Sequence, residues 1–164
     1  MPNPLLIDMS IHHFDLMRFL FDADAESVFA ESWRPEWSWF DGDPSVTVIV
    51  NMENGIRVCY AGSWITKGWE TTWDGDWRIE CSNGEIRWDK NIKITLESKE
   101  KVRERLVSMP LEDRLYLLYE FAEAIAKNKE PETSGEDNLK SLAMVFAAID
   151  SAETGRRISV KEYL

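Results

Sequence analysis

The chain has 164 residues, 44% of them hydrophobic, so it is long and apolar enough for a real core and does not read as disordered. Its formal net charge of −11 argues against binding to nucleic acid or to an anionic membrane surface, since both need clustered lysine and arginine. No apolar run approaches the roughly 20 residues that span a bilayer, and the start Met1-Pro2-Asn3-Pro4 lacks the basic-then-apolar pattern of a signal peptide.

A helix is predicted from Ser10 to Phe21, with Ile11, Phe14, Met17 and Phe21 inward and Asp15, Arg18 and Asp22 among the polar positions. Strands follow over 27–34, 45–52 and 56–65, the last two joined by the tight-turn signal Glu53-Asn54-Gly55. Lys67 to Gly75 is irregular and aromatic. Strands are expected again over 76–81, 85–89 and 92–98, with Asn83-Gly84 and Asp89-Lys90-Asn91 as turns, and Lys99–Val107 reads as a charged edge strand. Pro110 precedes a helix from Leu111 to about Asn128, whose buried stripe would be Leu115, Leu118, Ala122 and Ile125. A last helix from about Glu136 to Thr154 would turn Leu139, Leu142, Ala143, Phe146 and Ile149 inward and stop at Gly155. Ile158–Tyr163 would add a short terminal strand. Helix, antiparallel strands and two helices in that order make an α+β fold, an open and mainly antiparallel sheet with helices on one face. The uncovered face predicts a homo-oligomer that buries it against another copy of the chain.

Cys59 and Cys81 each fall in a strand-like run, too few for a disulfide scaffold or a structural zinc site, which suggests a reducing cytoplasm. All eight tryptophans lie between Trp33 and Trp88. Aromatics usually pack in cores or interfaces, and core or sheet packing is the plainer expectation for Trp73 and Trp77; their flat faces would also suit sugar rings.

The chemistry concentrates in Asp8-Met9-Ser10-Ile11-His12-His13-Phe14-Asp15, which holds both histidines between two carboxylates. A helix starting near Ser10 puts Asp8 at or just before its first turn, where the carboxylate can accept helix-start amides or reach a ring nitrogen of His12. A carboxylate-oriented imidazole transfers protons near neutral pH. The plainer alternative is a capping aspartate and a packed histidine. By ligand type, Asp8, His12, His13 and Asp15 could also hold a metal, but proton chemistry suits their arrangement better and no metal is expected.

Residues Leu5 to Leu16 resemble the D-x-G-x-H-x-x-D segment of the Gfo/Idh/MocA oxidoreductase family. Trp37-Ser38-Trp39 with Gly42-Asp43, Gly62-Ser63-Trp64, Gly68, Thr71-Thr72-Trp73 and Gly75-Asp76-Trp77-Arg78-Ile79 are similar to segments of one subgroup, and Ala147–Ala152 with Gly155-Arg156 to its closing helix and turn. The likeness runs from about Pro4 to Val160. It implies a single carboxy-terminal domain over 1–164, dihydrodipicolinate-reductase-like in fold, that carries substrate and oligomer contacts. It also implies hydride exchange between NAD or NADP and a sugar, cyclitol or related polyol. Asp8 and His12 match the family's catalytic pair, while His13, Asp15 and Trp73 are the candidates for substrate contact. Ser10 stands where the family has glycine. No G-x-G-x-x-G follows a strand, no E-K-P lysine is present, and Lys67 and Lys90 lack that context. The expectation is therefore a chain that binds no nicotinamide cofactor itself, with the amino-terminal NAD(P)-binding domain missing, and that is inactive alone; its Asp8–Phe21 face would be exposed or covered by another copy. The competing reading is a self-associating, non-enzymatic binding or structural module.

Overall fold

A computed structural model describes residues 1–89, 92–96, 101–102 and 109–164, with the backbone alone over 92–96 and 101–102. The chain divides into two compact units, Met1–Lys67 with Thr133–Leu164, and Gly68–Glu132.

The first unit carries a four-stranded sheet, β1 (Ala25–Trp33), β2 (Ser45–Met52), β3 (Arg57–Ser63) and β8 (Ile158–Ser159), in the order β3-β2-β1-β8 with every pair antiparallel. Val46, Val48, Val50 and Met52 of β2 point to one side and are buried, as the period-two spacing of β-branched residues demands. On β1 the buried positions change parity between Ala25 and Val28, because the register with β2 shifts between Ala25 and Ser27. Gly55, at φ +87°, makes the β2–β3 turn that Asn54-Gly55 predicts.

Two α-helices cover this sheet, α1 (Ile11–Phe21) and α3 (Gly135–Thr154), and α3 lies along β1. The Ser134 hydroxyl accepts the Asp137 amide at the start of α3, and Gly155 closes it in the left-handed region at φ +64°. The inward stripe predicted for α3 is only partly right. Ala143 is buried with Ser141, Met144, Val145, Ala147, Ala148 and Ser151, but Leu139 and Phe146 are exposed and Leu142 and Ile149 are half-buried. Small side chains let the helix approach β1 closely: Ser151 Oγ accepts the Ala30 amide and donates to the Arg156 carbonyl. The terminal strand is shorter than predicted, since Val160–Tyr163 winds into a 3-10 turn.

The amino-terminal helix begins earlier than its capping signals suggest. Leu5–Ser10 forms a π-helical segment that runs directly into α1. The buried residues Leu5, Leu6, Met9, Ser10, Phe14, Met17 and Arg18 recur four apart. At 3.6 residues per turn that stripe would rotate by about 40° per step, some 120° over three steps. The wider i→i+5 turns at the start take up the drift and keep Leu5 and Phe14 against the same sheet.

The second unit carries its own antiparallel sheet, β4 (Trp77–Cys81), β5 (Gly84–Trp88), β6 (Ile92–Leu96) and β7 (Lys101–Val102), in chain order. The α+β reading stands, but the strands form two sheets rather than one. Residues 101–102 fall in the predicted edge strand over 99–107, and the rest of that stretch lies outside the described residues. The helix α2 (Asp113–Lys127) has its apolar stripe reversed: Leu115, Leu118 and Ile125 are 64–67% exposed, Ala122 is exposed, and only Ala124 is buried. A 3.6-residue apolar period specifies a sticky face, not the presence of its partner. No tryptophan of the eight is buried; Trp77 and Trp88, cross-strand partners, stack at 6.4 Å. Among the described residues no helix is long and apolar enough to cross a membrane.

Candidate functional site

The π-helical segment and the first turn of α1 carry Asp8, His12 and His13. Asp8 is exposed on the π segment, three residues inside its start, so it does not cap a helix; that position belongs to Pro4, and Ser10 before α1 makes no side-chain cap either. His12, four residues on, is exposed, so the packed-histidine alternative does not describe it. The two therefore stand on successive turns of one continuous helical run.

His13 turns the other way. Its Nδ1 lies 3.2 Å from the Tyr60 hydroxyl on β3, with ring centroids 5.5 Å apart. Ser10, fully buried at the end of the π segment, donates to the same hydroxyl at 3.0 Å. Phe14 packs edge-on against the Tyr60 ring at 5.6 Å and has no exposed surface. Burial pushes the Tyr60 phenol above its ordinary pKa, only partly countered by the Ser10 hydrogen bond, so the phenol keeps its proton at neutral pH. Gly62, two residues along the same strand face, makes room for it: a Cβ there would sit 2.8 Å from the Tyr60 hydroxyl and 3.0 Å from Leu5.

Asp15 belongs to a different network. It accepts from Ser141 Oγ at 2.7 Å and from Arg18 at 3.3 Å, which turns it toward α3. Arg18, predicted as an outward polar position, is 8% exposed. Its guanidinium also donates to Asp24 at 2.9 Å, to Asp137 at 2.6 Å and to Ser141 at 2.9 Å, joining α1, the α1–β1 link and the start of α3. Burial opposes the Arg18 charge, but the hydrogen bonds to Asp137 and Asp24 more than offset it and hold its pKa up. The Asp137 carboxyl is held below its usual range chiefly by Arg18. Asp24 is held low because hydrogen bonds from Lys140 and Arg18 outweigh its burial. The network anchors the helix that carries both histidines.

Trp73 lies in the second unit, 68% exposed on the loop before β4. The first unit also has a cleft of about 470 Å³ where the amino terminus meets Ser32, the loop at Asp41–Asp43, and Ala152 and Glu153 of α3. The histidines do not line it. Among the described residues no three His, Cys, Asp or Glu side chains could hold a metal ion together.

Tyr60 and Arg18 escaped the sequence reading. Tyr60 carried a signal: a tyrosine at an inward strand position needs a partner for its hydroxyl, and Gly62 two residues on leaves space for it. Arg18 sits four residues after the inward Phe14, but a buried guanidinium announces itself only through acids distant in sequence.

The family model for the GFO/IDH/MocA C-terminal domain matches residues 3–87. The uncharacterized protein y4oX of Sinorhizobium fredii is 27% identical over 180 residues, across 100% of this chain and 49% of its own length. D-apiose dehydrogenase of Paraburkholderia graminis is 25% identical over 167 residues, across 94% of this chain and 44% of its own length. Inositol 2-dehydrogenase of Rhizobium meliloti is 29% identical over 168 residues, across 93% and 48% respectively. Two solved structures share the fold. One is an oxidoreductase from Agrobacterium radiobacter in complex with NAD+, L-tartaric acid and magnesium (TM-score 0.81, 24% identity, 96% of this chain and 49% of that one). The other is an aldose-aldose oxidoreductase from Caulobacter crescentus complexed with glycerol (TM-score 0.82, 16% identity, 94% and 47%). The chain spans about half the length of the curated relatives it matches.

Proposed function

The chain belongs to the GFO/IDH/MocA family through its C-terminal domain, and from that premise we propose that it is the substrate-side part of an NAD(P)-dependent oxidoreductase acting on a sugar, cyclitol or related polyol. The observation that carries this reading is the exposed Asp8–His12 pair on one helical run, in the family's D-x-x-x-H-x-x-D spacing. Oxidising an alcohol removes a proton from oxygen and a hydride from carbon. His12 is the group that takes the proton from the hydroxyl, or returns it to the carbonyl in reverse, and Asp8 stands one turn earlier on the same helical run. The relatives named as D-apiose and inositol dehydrogenases support the substrate class.

The hydride acceptor is not provided for by the described residues. A dinucleotide site needs parallel strands with a glycine-rich turn opening a helix. Among the described residues every strand pair is antiparallel, and Gly135, the only glycine inside an α-helix, opens α3 behind a loop rather than a strand. In this reading the chain supplies proton transfer and substrate contacts, and NAD or NADP accepts the hydride.

The outer face of the first sheet supports self-association. Phe29, Ile49 and Cys59 are cross-strand neighbours there, and none is buried. A second copy laid on this face would cover that row.

Titration of the isotope-labelled chain with myo-inositol and D-apiose, followed by NMR, tests the reading. Saturable shifts confined to residues around Asp8, His12 and His13 are expected, and NAD should give none. Polyol titrations that leave both histidine rings unmoved, or saturable NAD binding, would refute it.

A further inference from the structure

We propose that Ser10 and Tyr60 are positioning residues for His13: a one-way hydrogen-bond chain, Ser10 to Tyr60 to His13, keeps the neutral His13 ring protonated on Nε2. The directionality follows from counting protons. Ser10 Oγ donates to the Tyr60 oxygen at 3.0 Å. A phenol has a single proton to donate, and burial keeps it on Tyr60 at neutral pH. With the Tyr60 oxygen receiving from Ser10, that proton points to His13 Nδ1 at 3.2 Å. Nδ1 is then the acceptor, and the ring's own proton is on Nε2.

Two further features hold the chain in place. The Phe14 edge against the Tyr60 ring restricts its rotation. The missing Cβ at Gly62 lets the hydroxyl reach the helix at all. Ser10 is also where this chain departs from the glycine of the family's motif, so the first donor is a property of this sequence and not of the motif.

The consequence is a division of labour between adjacent histidines. His12 is exposed and is not part of the Ser10–Tyr60–His13 chain. A neutral His13 ring is fixed in one tautomer, so any hydrogen bond it makes through Nε2 is one it donates. Such a donor matches a hydroxyl or carbonyl oxygen of the substrate. This last step rests on the oxidoreductase reading above; the tautomer does not.

The test is the ring nitrogen spectrum of the 15N-labelled chain, recorded above the pH at which the imidazoles titrate. The wild type should show His13 Nε2 as the protonated nitrogen and Nδ1 as the acceptor, with widely separated shifts. In Tyr60→Phe the separation should narrow as the second tautomer becomes populated. Ser10→Gly and Gly62→Ala should narrow it in the same direction, and His12 should not change in any variant. Should Tyr60→Phe lose its native amide spectrum, Gly62→Ala carries the test, because its added methyl meets the phenol tip and the end of the Leu5 side chain first. A wild-type His13 protonated on Nδ1, or unchanged His13 shifts in these variants, overturns the proposal. Polyol titration of the same samples separates the two claims. Shifts at His12 without shifts at His13 overturn the donor role of His13, whereas the expected tautomer with no polyol response at either histidine supports the chain and overturns the oxidoreductase reading.

Discussion

Replacing Arg18 by Met keeps the stem and removes the charge from the first unit's buried polar centre. Arg18 is 8% exposed and holds three carboxylates, Asp15, Asp24 and Asp137, which are 33%, 34% and 44% exposed. Removing one member of a fully buried ion pair costs about 3–5 kcal/mol, because the abandoned charge stays desolvated. Here the abandoned charges reach water on one side, and Lys140 still pairs with Asp24 at 2.8 Å, so part of that cost is recovered. The remaining loss is about 2–4 kcal/mol, combining charge-assisted hydrogen bonds of about 1.5–3 kcal/mol with mutual repulsion of the acids. Urea unfolding at pH 7, followed by far-UV circular dichroism, measures it through the shift in midpoint. The acid limb gives an independent reading. The folded Asp24 and Asp137 pKa values are depressed, so their contribution is present above the unfolded value of about 3.9 and fades as pH falls through the lower folded values. Arg18's raised pKa contributes stability that would vanish only in strong alkali, outside the working range. The variant should therefore lose less stability than the wild type as pH drops below about 4. A midpoint shift worth under about 1 kcal/mol with an unchanged acid limb would refute the view of Arg18 as the anchor of α1.

Gly42→Ala should destabilise the first unit by about 1–3 kcal/mol in the same assay, as overpacking does, because its Cβ would meet the Pro2 carbonyl oxygen at 1.9 Å, where backbone rather than a flexible tip must move. Ile49→Lys, in the middle of the open sheet face, should shift the chain to monomer in light scattering at micromolar concentration; a wild type that is already monomeric removes the basis for association through that face. Leu118→Ser, at a position 64% exposed, should change stability by no more than about 0.5 kcal/mol and reduce aggregation on heating; a loss of 2 kcal/mol would mean that α2 buries this residue in solution.

Local signals were legible wherever a turn or an alternation settles structure by itself. Asn54-Gly55 marked the β2–β3 hairpin, Gly155 the end of α3, and the valines of β2 their buried face. What failed was the choice of partner. The stripes on α2 and α3 name apolar faces correctly as faces, but Leu115 and Leu118 stay exposed and Phe146 is covered only in part, by the stacked Tyr163 ring, while Ser141, Ser151 and the alanines of α3 are buried because β1 comes close. Period alone cannot rank a leucine against an alanine when the distance to the neighbouring layer is unknown.

The candidate site shows the same division at higher resolution. That Asp8 and His12 stand on successive turns could be read from their spacing, since both lie on one stretch of chain. The partners of His13 could not, because Tyr60 lies 47 residues away on β3. The link between them depends on the π-helical segment. An ordinary α-helix over Leu5–Ser10 would let the four-residue stripe drift, so that Ser10 and Phe14 could not both face the sheet where Leu5 packs beside Gly62. The widened turns keep Ser10, Phe14 and the inner edge of His13 on the tyrosine and leave His12, one residue back, facing solvent. The difference in environment between two neighbouring imidazoles is therefore set by helix geometry upstream of both.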